Sequence, residues 1–236
     1  MAHEIEIKLR IKDLEALRAA LKKLGARSIS AGTGCVHEWN VLFDTPRGNL
    51  AKRGHLLRIR TETVEGLGGK GSARNAQRVL VTYKRPVARH GSTTGSSRRL
   101  ETHKVREEIE LEVADGGALA RIFDGLGMRG WFRYEKFRTT FRLPPARHWA
   151  KGLLIELDET PIGNIVELEG PPKAIDKAAR ELGFSKRDYI LMNYLSLYRE
   201  ECRRRGEKPG DMVFQKGNER VAVVRAKNLP KTPFFS

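Results

Sequence analysis

The segment from residue 4 to residue 11 alternates strictly between charged and apolar side chains. It reads Glu-Ile-Glu-Ile-Lys-Leu-Arg-Ile, so a β-strand here carries aliphatic side chains on one face and charged side chains on the other. An apolar face of this kind has to be buried against other elements of the fold. The alternation therefore predicts a strand in a sheet with one covered, apolar face and one polar face.

Similar segments recur along the chain and predict about eight strands in total. Most of the links between them are short or loop-like, which favours antiparallel pairing over a parallel sheet. The further strands are predicted at residues 38–44, 55–61, 79–84, 105–113, 132–143, 153–159 and 165–169.

Helical spacing of apolar residues predicts four helices between and after the strands. The first runs from an N-cap at Asp13 to a terminal Gly25, with leucines at helical spacing between them. The others are predicted at residues 115–127, 171–182 and 188–203. The pattern indicates an α+β fold whose helices cover the apolar face of the sheet.

Two stretches and the C-terminal part of the chain do not follow these patterns. Residues 65–76 and 86–103 are rich in small and polar residues and predict long loops. Residues 1–202 are predicted to form one domain, and residues 203–236 a basic extension that is partly disordered. A short strand at residues 221–224 is an alternative for part of this extension.

Composition limits the functions that are open to the chain. Its 236 residues carry a formal net charge of +16, which favours polyanionic partners such as phosphorylated molecules, nucleic acid or anionic membranes. No stretch is apolar for long enough to span a bilayer and no signal peptide is visible, so we expect a cytoplasmic protein. Cys35 and Cys202 lie far apart and fit neither a disulfide framework nor a zinc site.

The charged faces of the strands have two interpretations. A half-buried sheet commonly turns a polar face to water, and any one strand alone is compatible with that. At least six strands, however, combine an ionisable face with an apolar face that helices could cover. If the sheet closes with its helices outside, the charges point inward, where they are unfavourable without water, a ligand or a metal ion.

The two signs of charge suit two different tasks. Basic side chains bind phosphate oxygens, and arginine can do so through two hydrogen bonds. Carboxylates would repel a polyphosphate unless a divalent cation such as Mg²⁺ or Mn²⁺ lay between them. The basic candidates are Lys8, Arg58, Arg60, Lys84, Arg106, Lys136 and Arg138, and the carboxylate candidates are Glu4, Glu6, Glu108, Glu110, Asp158, Glu167 and Glu169.

The N-terminal residues Glu4-Ile5-Glu6-Ile7-Lys8 resemble the Glu-x-Glu-x-Lys signature of the CYTH superfamily. This superfamily is named for class IV adenylate cyclase and thiamine triphosphatase, and it belongs to the triphosphate tunnel metalloenzymes. Other segments resemble further blocks of the family in the same order, and together they cover roughly residues 2–200. These blocks are Phe43-Asp44-Thr45-Pro46, Leu57-Arg58-Ile59-Arg60, Lys84, the Glu108 and Glu110 pair, Glu135-Lys136-Phe137-Arg138, Asp158, and Val166-Glu167-Leu168-Glu169-Gly170.

The resemblance implies an eight-stranded antiparallel β-barrel, a divalent metal and chemistry on a triphosphate. The sequence gives no candidate for the general base. Glu108 and Glu110 would either bind metal or form structural ion pairs, and Arg142 is a further basic candidate. By position, the implied metal ligands are Glu4, Glu6, Asp158, Glu167 and Glu169, and the implied phosphate-binding residues are Lys8, Arg58, Arg60, Lys84, Arg106, Lys136 and Arg138.

The sequence leaves the reaction open between two enzymes and a binding module. An adenylate cyclase would need a pocket for the base, and Trp39, Phe43 and Trp131 are candidates for stacking, although core packing also accounts for them. A triphosphatase acting on thiamine triphosphate or tripolyphosphate needs only the charged tunnel. The basic tail favours a polyphosphate or nucleic-acid binding module, but such a module has no use for rows of carboxylates. A monomer and a homodimer are both compatible with the sequence.

Overall fold

The computed structural model describes residues 2–30, 34–64, 76–87 and 102–215. The two predicted loops therefore lie mostly outside the described residues, and so do Arg98 and Arg99, two basic residues of the second loop that the sequence offers as possible contacts of a substrate. The strand considered at residues 221–224 lies outside them as well.

Eight strands close into an antiparallel β-barrel, which confirms the predicted fold. Around the barrel the order is β7-β3-β4-β5-β6-β1-β9-β8, and β8 pairs back onto β7. A two-residue strand, β2, extends the sheet along the free edge of β7. The strands are β1 Ala2–Ile11, β2 Arg27–Ser28, β3 Val36–Asp44, β4 Leu56–Val64, β5 Ala76–Pro86, β6 Lys104–Glu112, β7 Arg129–Arg142, β8 Leu154–Thr160 and β9 Gly163–Glu169.

Helices pack on the outside of the barrel because the outward face of its strands is apolar. Two of them, α1 and α4, cover β1, β8 and β9, whose aliphatic side chains are almost completely buried. A third, α3, covers β3 and β4 through Ala120 and Phe123. The helices in the described residues are α1 Leu14–Leu24, α2 Asn49–Lys52, α3 Gly116–Gly125, α4 Pro172–Glu181 and α5 Tyr194–Arg205.

The first helix has the ends that the sequence predicts. The Asp13 side chain accepts a hydrogen bond from the backbone N–H of Ala16 at 2.9 Å. Gly25 ends the helix with φ 74°, a left-handed conformation that glycine adopts without steric cost.

The last helix begins later than predicted, at Tyr194 instead of residue 188. The chain before it is extended because β1 has a free edge beyond its pairing with β6. Lys8 and Ile190 exchange backbone hydrogen bonds of 3.0 and 2.9 Å across that edge. Asn193 then caps α5 by accepting from the N–H of Ser196 at 2.8 Å.

The helix α5 closes one end of the barrel. At that end the inward-facing side chains are apolar or aromatic, and they include Leu42, Phe132 and Tyr134. Tyr194 and Leu197 of α5 pack against them and are 7% and 1% exposed. The interior of the barrel is therefore charged along most of its length and apolar where α5 covers it.

The chain after α5 also packs on the barrel. Met212 is 1% exposed and lies beside β7, where it bonds to the backbone of Arg133 and Glu135 at 2.9 and 3.1 Å. The N–H of Phe214 donates to the Glu135 carboxylate at 2.7 Å. The first residues of the predicted basic extension thus occupy the part of the β7 edge that β8 leaves free.

Candidate functional site

The inward face of the barrel carries the charged residues that the alternation predicted. Strand pairing sets basic side chains beside carboxylates on neighbouring strands. Lys84 is the cross-strand partner of Glu108, and Lys8 is the partner of Glu167. Each of these two lysines therefore has a carboxylate within reach before any ligand is considered.

The most deeply buried charges form a cluster between β3, β7 and β8. Asp158 has no exposed surface and accepts hydrogen bonds from Lys136 at 2.9 Å and from Arg138 at 2.6 Å. Glu38, 1% exposed, lies 3.3 Å from Arg60, 3.4 Å from Lys136 and 3.5 Å from Arg138. These carboxylates hold three phosphate-binding candidates in fixed positions.

The charge on Glu38 is maintained by this arrangement. Burial alone would raise its pKa, but attraction to Arg60, Lys136 and Arg138 outweighs burial and holds the pKa well below its ordinary value. Sequence reasoning missed Glu38 because it begins a predicted strand without a recognised motif. It does share the inward face of β3 with Asn40, and strand alternation could have revealed this.

On β1, Lys8 is held between two carboxylates. Its ammonium lies 3.0 Å from Glu6 and 3.4 Å from Glu167. Burial would lower the pKa of Lys8, but these two carboxylates raise it. Burial would likewise raise the pKa of Glu6, yet Lys8 together with Lys104 lowers it to about 2. Both groups are therefore ionised at neutral pH.

Two lysines lie closer to solvent than this pair. Lys84 contacts Glu4 at 2.6 Å and Glu108 at 3.1 Å. Lys104, which the sequence analysis did not single out, contacts Glu6 at 2.5 Å. Lys104 begins β6 and faces inward with the charged residues that follow, so strand alternation would have identified it.

Arg58 differs from the other bases in having neutral partners. It donates to the hydroxyl groups of Tyr134 at 3.0 Å and Thr82 at 3.1 Å. Its nearest carboxylate is that of Glu110, 3.8 Å away. Arg58 is therefore buried and oriented, while its charge is less compensated than that of Arg138.

Two further arginines considered from the sequence lie apart from this network. Arg106 donates to the backbone carbonyls of Gly54 at 2.7 Å and Lys84 at 3.2 Å. Arg142 is exposed at the end of β7, where it pairs with β2. Their described contacts hold them at the margins of the charged interior.

A group of carboxylates lies at the junction of β1, β8 and β9. Glu6 is directly opposite Glu169, and Glu156 is directly opposite Glu167. Like charges in such cross-strand positions repel each other. Burial and nearby carboxylates, Glu156 and Glu4 among them, raise the pKa of Glu169 to about 8. Burial raises the pKa of Glu156 to about 7. Arg138 lowers this pKa, whereas the neighbouring Glu167 raises it further.

Oε2 of Glu4 is buried and has no hydrogen-bond partner. Oε2 of Glu156 is also buried, and it forms an ion pair with the Arg138 guanidinium. In the described ranges, no three or more His, Cys, Asp or Glu side chains converge as a ready metal site, since Glu4 and Glu6 turn toward lysines. The repulsion between these carboxylates and the unpaired oxygen of Glu4 nevertheless fit a divalent cation, which prefers oxygen ligands.

Glu156 was not among the residues named from the sequence, although Asp158 was. Both lie on β8 with the same inward orientation, two residues apart. Asp158 contacts two bases, whereas Glu156 contacts one, Arg138, and lies opposite the Glu167 carboxylate. Alternation could have revealed Glu156, whereas only the fold separates the surroundings of the two.

The aromatic residues considered for base stacking do not line the charged interior. Trp39 and Phe43 pack under α3 on the outside of the barrel. Trp131 is 40% exposed, and the Arg199 guanidinium lies over it, 5.8 Å from the centroid of the Trp131 ring. The interpretation of Trp39 and Phe43 as packing residues is the one that the structure supports.

Comparison with known proteins agrees with this architecture. A family model described as the CYTH domain matches residues 2–191, and the chain belongs to the CYTH family. A protein of Methanocaldococcus jannaschii named "Putative adenylate cyclase MJ0240" is 26% identical over 199 residues, covering 82% of this chain and 97% of that protein.

Two solved structures have the same fold. The PH1819 protein of Pyrococcus horikoshii has a TM-score of 0.61 at 23% identity, covering 84% of this chain and 99% of that one. A Vibrio parahaemolyticus protein titled "a putative adenylate cyclase" has a TM-score of 0.60 at 16% identity, covering 82% and 96% of the two chains. Among the helices in the described ranges, none combines the length and apolar character needed to cross a bilayer.

Proposed function

We propose that this protein is a divalent-metal-dependent triphosphatase. The observation that carries the proposal is the charged interior of a barrel that α5 closes at one end with apolar and aromatic side chains. Its inward face offers fixed bases and repelling carboxylates, a combination that suits a polyphosphate bound together with a cation.

Six bases are proposed to hold the phosphate oxygens. Their side chains are already oriented by carboxylates or hydroxyl groups, so little reorganisation is needed when charge develops during the reaction. Arg138 is fixed on Asp158, and Arg58 is fixed on Tyr134. The six are Lys8, Arg58, Arg60, Lys84, Lys136 and Arg138.

The carboxylates at the junction of β1, β8 and β9 are proposed to hold Mg²⁺ or Mn²⁺. Glu4 offers an unpaired oxygen. Glu156 lies opposite Glu167 and Glu6 lies opposite Glu169, so a cation between these strands would relieve the repulsion of the paired carboxylates. When bound, such a cation neutralises charge on phosphate oxygens and polarises the phosphorus toward attack. Asp158 is proposed instead to hold bases, because Lys136, Arg138 and Tyr194 occupy its oxygens.

Hydrolysis requires little further chemistry from the protein. Water attacks the terminal phosphorus atom, the bond to the bridging oxygen breaks, and the diphosphate end leaves. Orthophosphate is released and the proton of the water passes to solvent, while the bases stabilise the charge that spreads over the phosphate oxygens. Glu108 and Glu110 are proposed to orient bases, since they lie 3.1 Å from Lys84 and 3.8 Å from Arg58. Arg106 has its contacts at the margin of the interior and is proposed to act only on the outer part of the substrate.

A class IV adenylate cyclase is the second candidate, and the name of the Methanocaldococcus jannaschii relative favours it. That reaction joins the ribose 3′-hydroxyl to the α-phosphorus and releases pyrophosphate. It also requires a site for the base. Among the described residues, the inward-facing aromatic side chains Phe132 and Tyr134 are buried under α5, which supports the triphosphatase over the cyclase.

Product analysis tests the proposal. The protein is incubated with Mg²⁺ or Mn²⁺ and, separately, with tripolyphosphate, thiamine triphosphate and ATP. We expect orthophosphate, released fastest from a substrate without a nucleoside. A Glu4→Gln/Glu6→Gln variant should lose the activity, whereas Glu15→Gln, whose side chain is 81% exposed on α1, should keep it.

The other results have clear meanings. Cyclic AMP with pyrophosphate from ATP would replace the triphosphatase by a cyclase. Binding of polyphosphate or nucleic acid without turnover of any substrate would replace both by a binding module that uses the basic surface.

A further inference from the structure

One aromatic residue reaches the buried charges from outside the barrel. Tyr194 is the first residue of α5 and is 7% exposed. Its hydroxyl donates to Oδ2 of Asp158 at 2.5 Å, the same oxygen that accepts from Lys136 at 2.9 Å. The pKa of Tyr194 is raised well above its ordinary value, by burial and then by Asp158, so the hydroxyl keeps its proton. The helix that closes the barrel is thus bonded to its innermost carboxylate.

The ring of the same residue contacts two lysines from different strands. The ammonium of Lys136 on β7 lies 5.1 Å from its centroid, and that of Lys8 on β1 lies 5.5 Å away. These distances are within the range of a cation–π interaction, which strengthens where water is excluded. The two strands are not neighbours in the barrel. Tyr194 therefore connects two bases that no backbone pairing holds together.

A third contact fixes the ring itself. The ring of Tyr134 stacks on that of Tyr194 with centroids 6.0 Å apart and an angle of 27° between the planes. The hydroxyl of Tyr134 accepts from Arg58 at 3.0 Å. The two tyrosines form one aromatic layer that contacts three of the proposed phosphate-binding bases, Lys8, Arg58 and Lys136.

We propose that Tyr194 is a positioning residue that sets the separation and direction of the Lys8 and Lys136 ammonium groups. The inference rests on the proposed function of these lysines in binding a triphosphate. The ring holds the two lysines, and the hydroxyl separately fixes Asp158. Substitution by phenylalanine removes only the hydrogen bond to Asp158, whereas substitution by leucine removes both this bond and the ring.

Leu197 provides a matched control on the same helix. It is 1% exposed and packs in the same apolar cluster as Tyr194. If Tyr194 acted only through packing, Leu197→Ala would reproduce the effects of Tyr194→Leu at an equal loss of thermal stability. The comparison therefore separates positioning from general destabilisation.

The first measurement is an NMR spectrum of protein with ¹³C-labelled lysine, recorded without substrate. In the wild type and in Tyr194→Phe, the ε-methylene protons of Lys8 and Lys136 should be shifted upfield by the ring. In Tyr194→Leu these shifts should be lost, and in Leu197→Ala they should remain. Unchanged lysine shifts in Tyr194→Leu would overturn the inference, whatever the activity of the variant.

The second measurement is hydrolysis of Mg²⁺-tripolyphosphate. We expect Tyr194→Leu to raise KM by about tenfold or more, Tyr194→Phe to restore KM to within about threefold, and Leu197→Ala to leave it nearly unchanged. Equal KM changes in Tyr194→Leu and Leu197→Ala would overturn the inference. If the wild type hydrolyses no triphosphate but the lysine shifts behave as expected, the proposed function fails while the positioning of the lysines stands.

Discussion

Two carboxylates on β8 illustrate how surroundings determine what a residue can do. Asp158 is fully buried and contacts both Lys136 and Arg138. Glu156 contacts only the shared Arg138 and lies opposite Glu167. The charge of Glu156 is therefore compensated less completely than that of Asp158. A shared orientation on one strand therefore does not imply a shared role.

Substitution of Glu156 should change the metal requirement, whereas substitution of Asp158 should change stability. Glu156→Gln should raise the Mg²⁺ concentration for half-maximal hydrolysis by about tenfold or more, because a proposed metal ligand loses its charge. Asp158→Asn should leave that Mg²⁺ concentration unchanged. It should lower stability by about 3 kcal/mol, because Lys136, Arg138 and Tyr194 lose the buried carboxylate charge to which they donate. Metal titration and thermal denaturation measure both effects. The assignment is wrong if Asp158→Asn alone changes the metal requirement.

Glu38 should contribute to the pH dependence of stability. Its pKa is held below the ordinary value in the folded protein, so it stabilises the fold above the unfolded-state pKa of about 4.5. That contribution is lost as pH falls through the lower, folded-state pKa. Glu38→Gln should therefore lower stability at pH 7 by about 3 kcal/mol and by less at pH 3, where part of the contribution is already lost.

Urea denaturation at several pH values checks this expectation. Glu62→Gln is a suitable control, since that carboxylate is more exposed and pairs with the same Arg60 at 3.3 Å. A loss of stability in Glu38→Gln that stayed constant from pH 7 to pH 3 would contradict the account.

Most site residues could be predicted from the sequence, but their partners could not. Strand alternation and the Glu-x-Glu-x-Lys signature place Glu4, Glu6 and Lys8 on one inward face. The alternation along a strand determines whether a side chain points into or out of the barrel. The register between strands that are distant in sequence determines which side chains it contacts. Lys104 and Glu38 were missed because no motif marks them, and Tyr194 because it reaches the interior from a helix.

At the scale of elements, the end of β9 depends on a glycine. Gly170 has φ 142°, and a Cβ atom built there would lie 2.5 Å from the carbonyl oxygen of Gly152. Both a rare backbone conformation and a backbone clash oppose any other residue. The chain leaves β9 here, directly after the proposed metal-binding Glu169.

Gly170→Ala should therefore destabilise the protein by about 2 kcal/mol or more, and thermal denaturation measures the effect. Gly125→Ala is the control. Gly125 ends α3 without a positive φ, and a Cβ atom there would have no neighbour within 4 Å. Equal melting temperatures of the two variants would show that the close approach at Gly170 is tolerated.

Elements with strong periodicity could be predicted, and those that depend on distant partners could not. Both ends of helix α1 could be predicted, because the capping Asp13 and the terminal Gly25 are local features of the sequence. The beginning of α5 was predicted too early because pairing of Ile190 with Lys8 keeps the preceding chain extended. The short helix α2 was missed because its stabilising partner lies outside it, at the end of β3. The Asp44 carboxylate accepts hydrogen bonds from the backbone N–H groups of Leu50 and Ala51 at 2.9 Å.

At the scale of the whole molecule, the barrel and the chain after α5 form one packed unit as far as residue 215. Truncation after Arg205 removes Met212, so it should lower the melting temperature by several degrees. Truncation after Gln215 should leave the melting temperature and the hydrolysis of tripolyphosphate unchanged. Differential scanning calorimetry of both truncated chains checks this. Equal stability of the two would show that the contact of Met212 with β7 is dispensable.

The charge of the whole molecule has a separate consequence. The net charge of +16 attracts any polyanion, so binding alone does not identify the functional surface. A crystal structure with Mg²⁺ and the non-hydrolysable analogue imidotriphosphate separates binding inside the barrel from binding to the surface charge. We expect the analogue inside the barrel, with its oxygens on Lys8, Arg58 and Lys136 and the metal ion on Glu4 and Glu156. An analogue bound on the outer surface, with these side chains still in their present ion pairs, would rule out the proposed site.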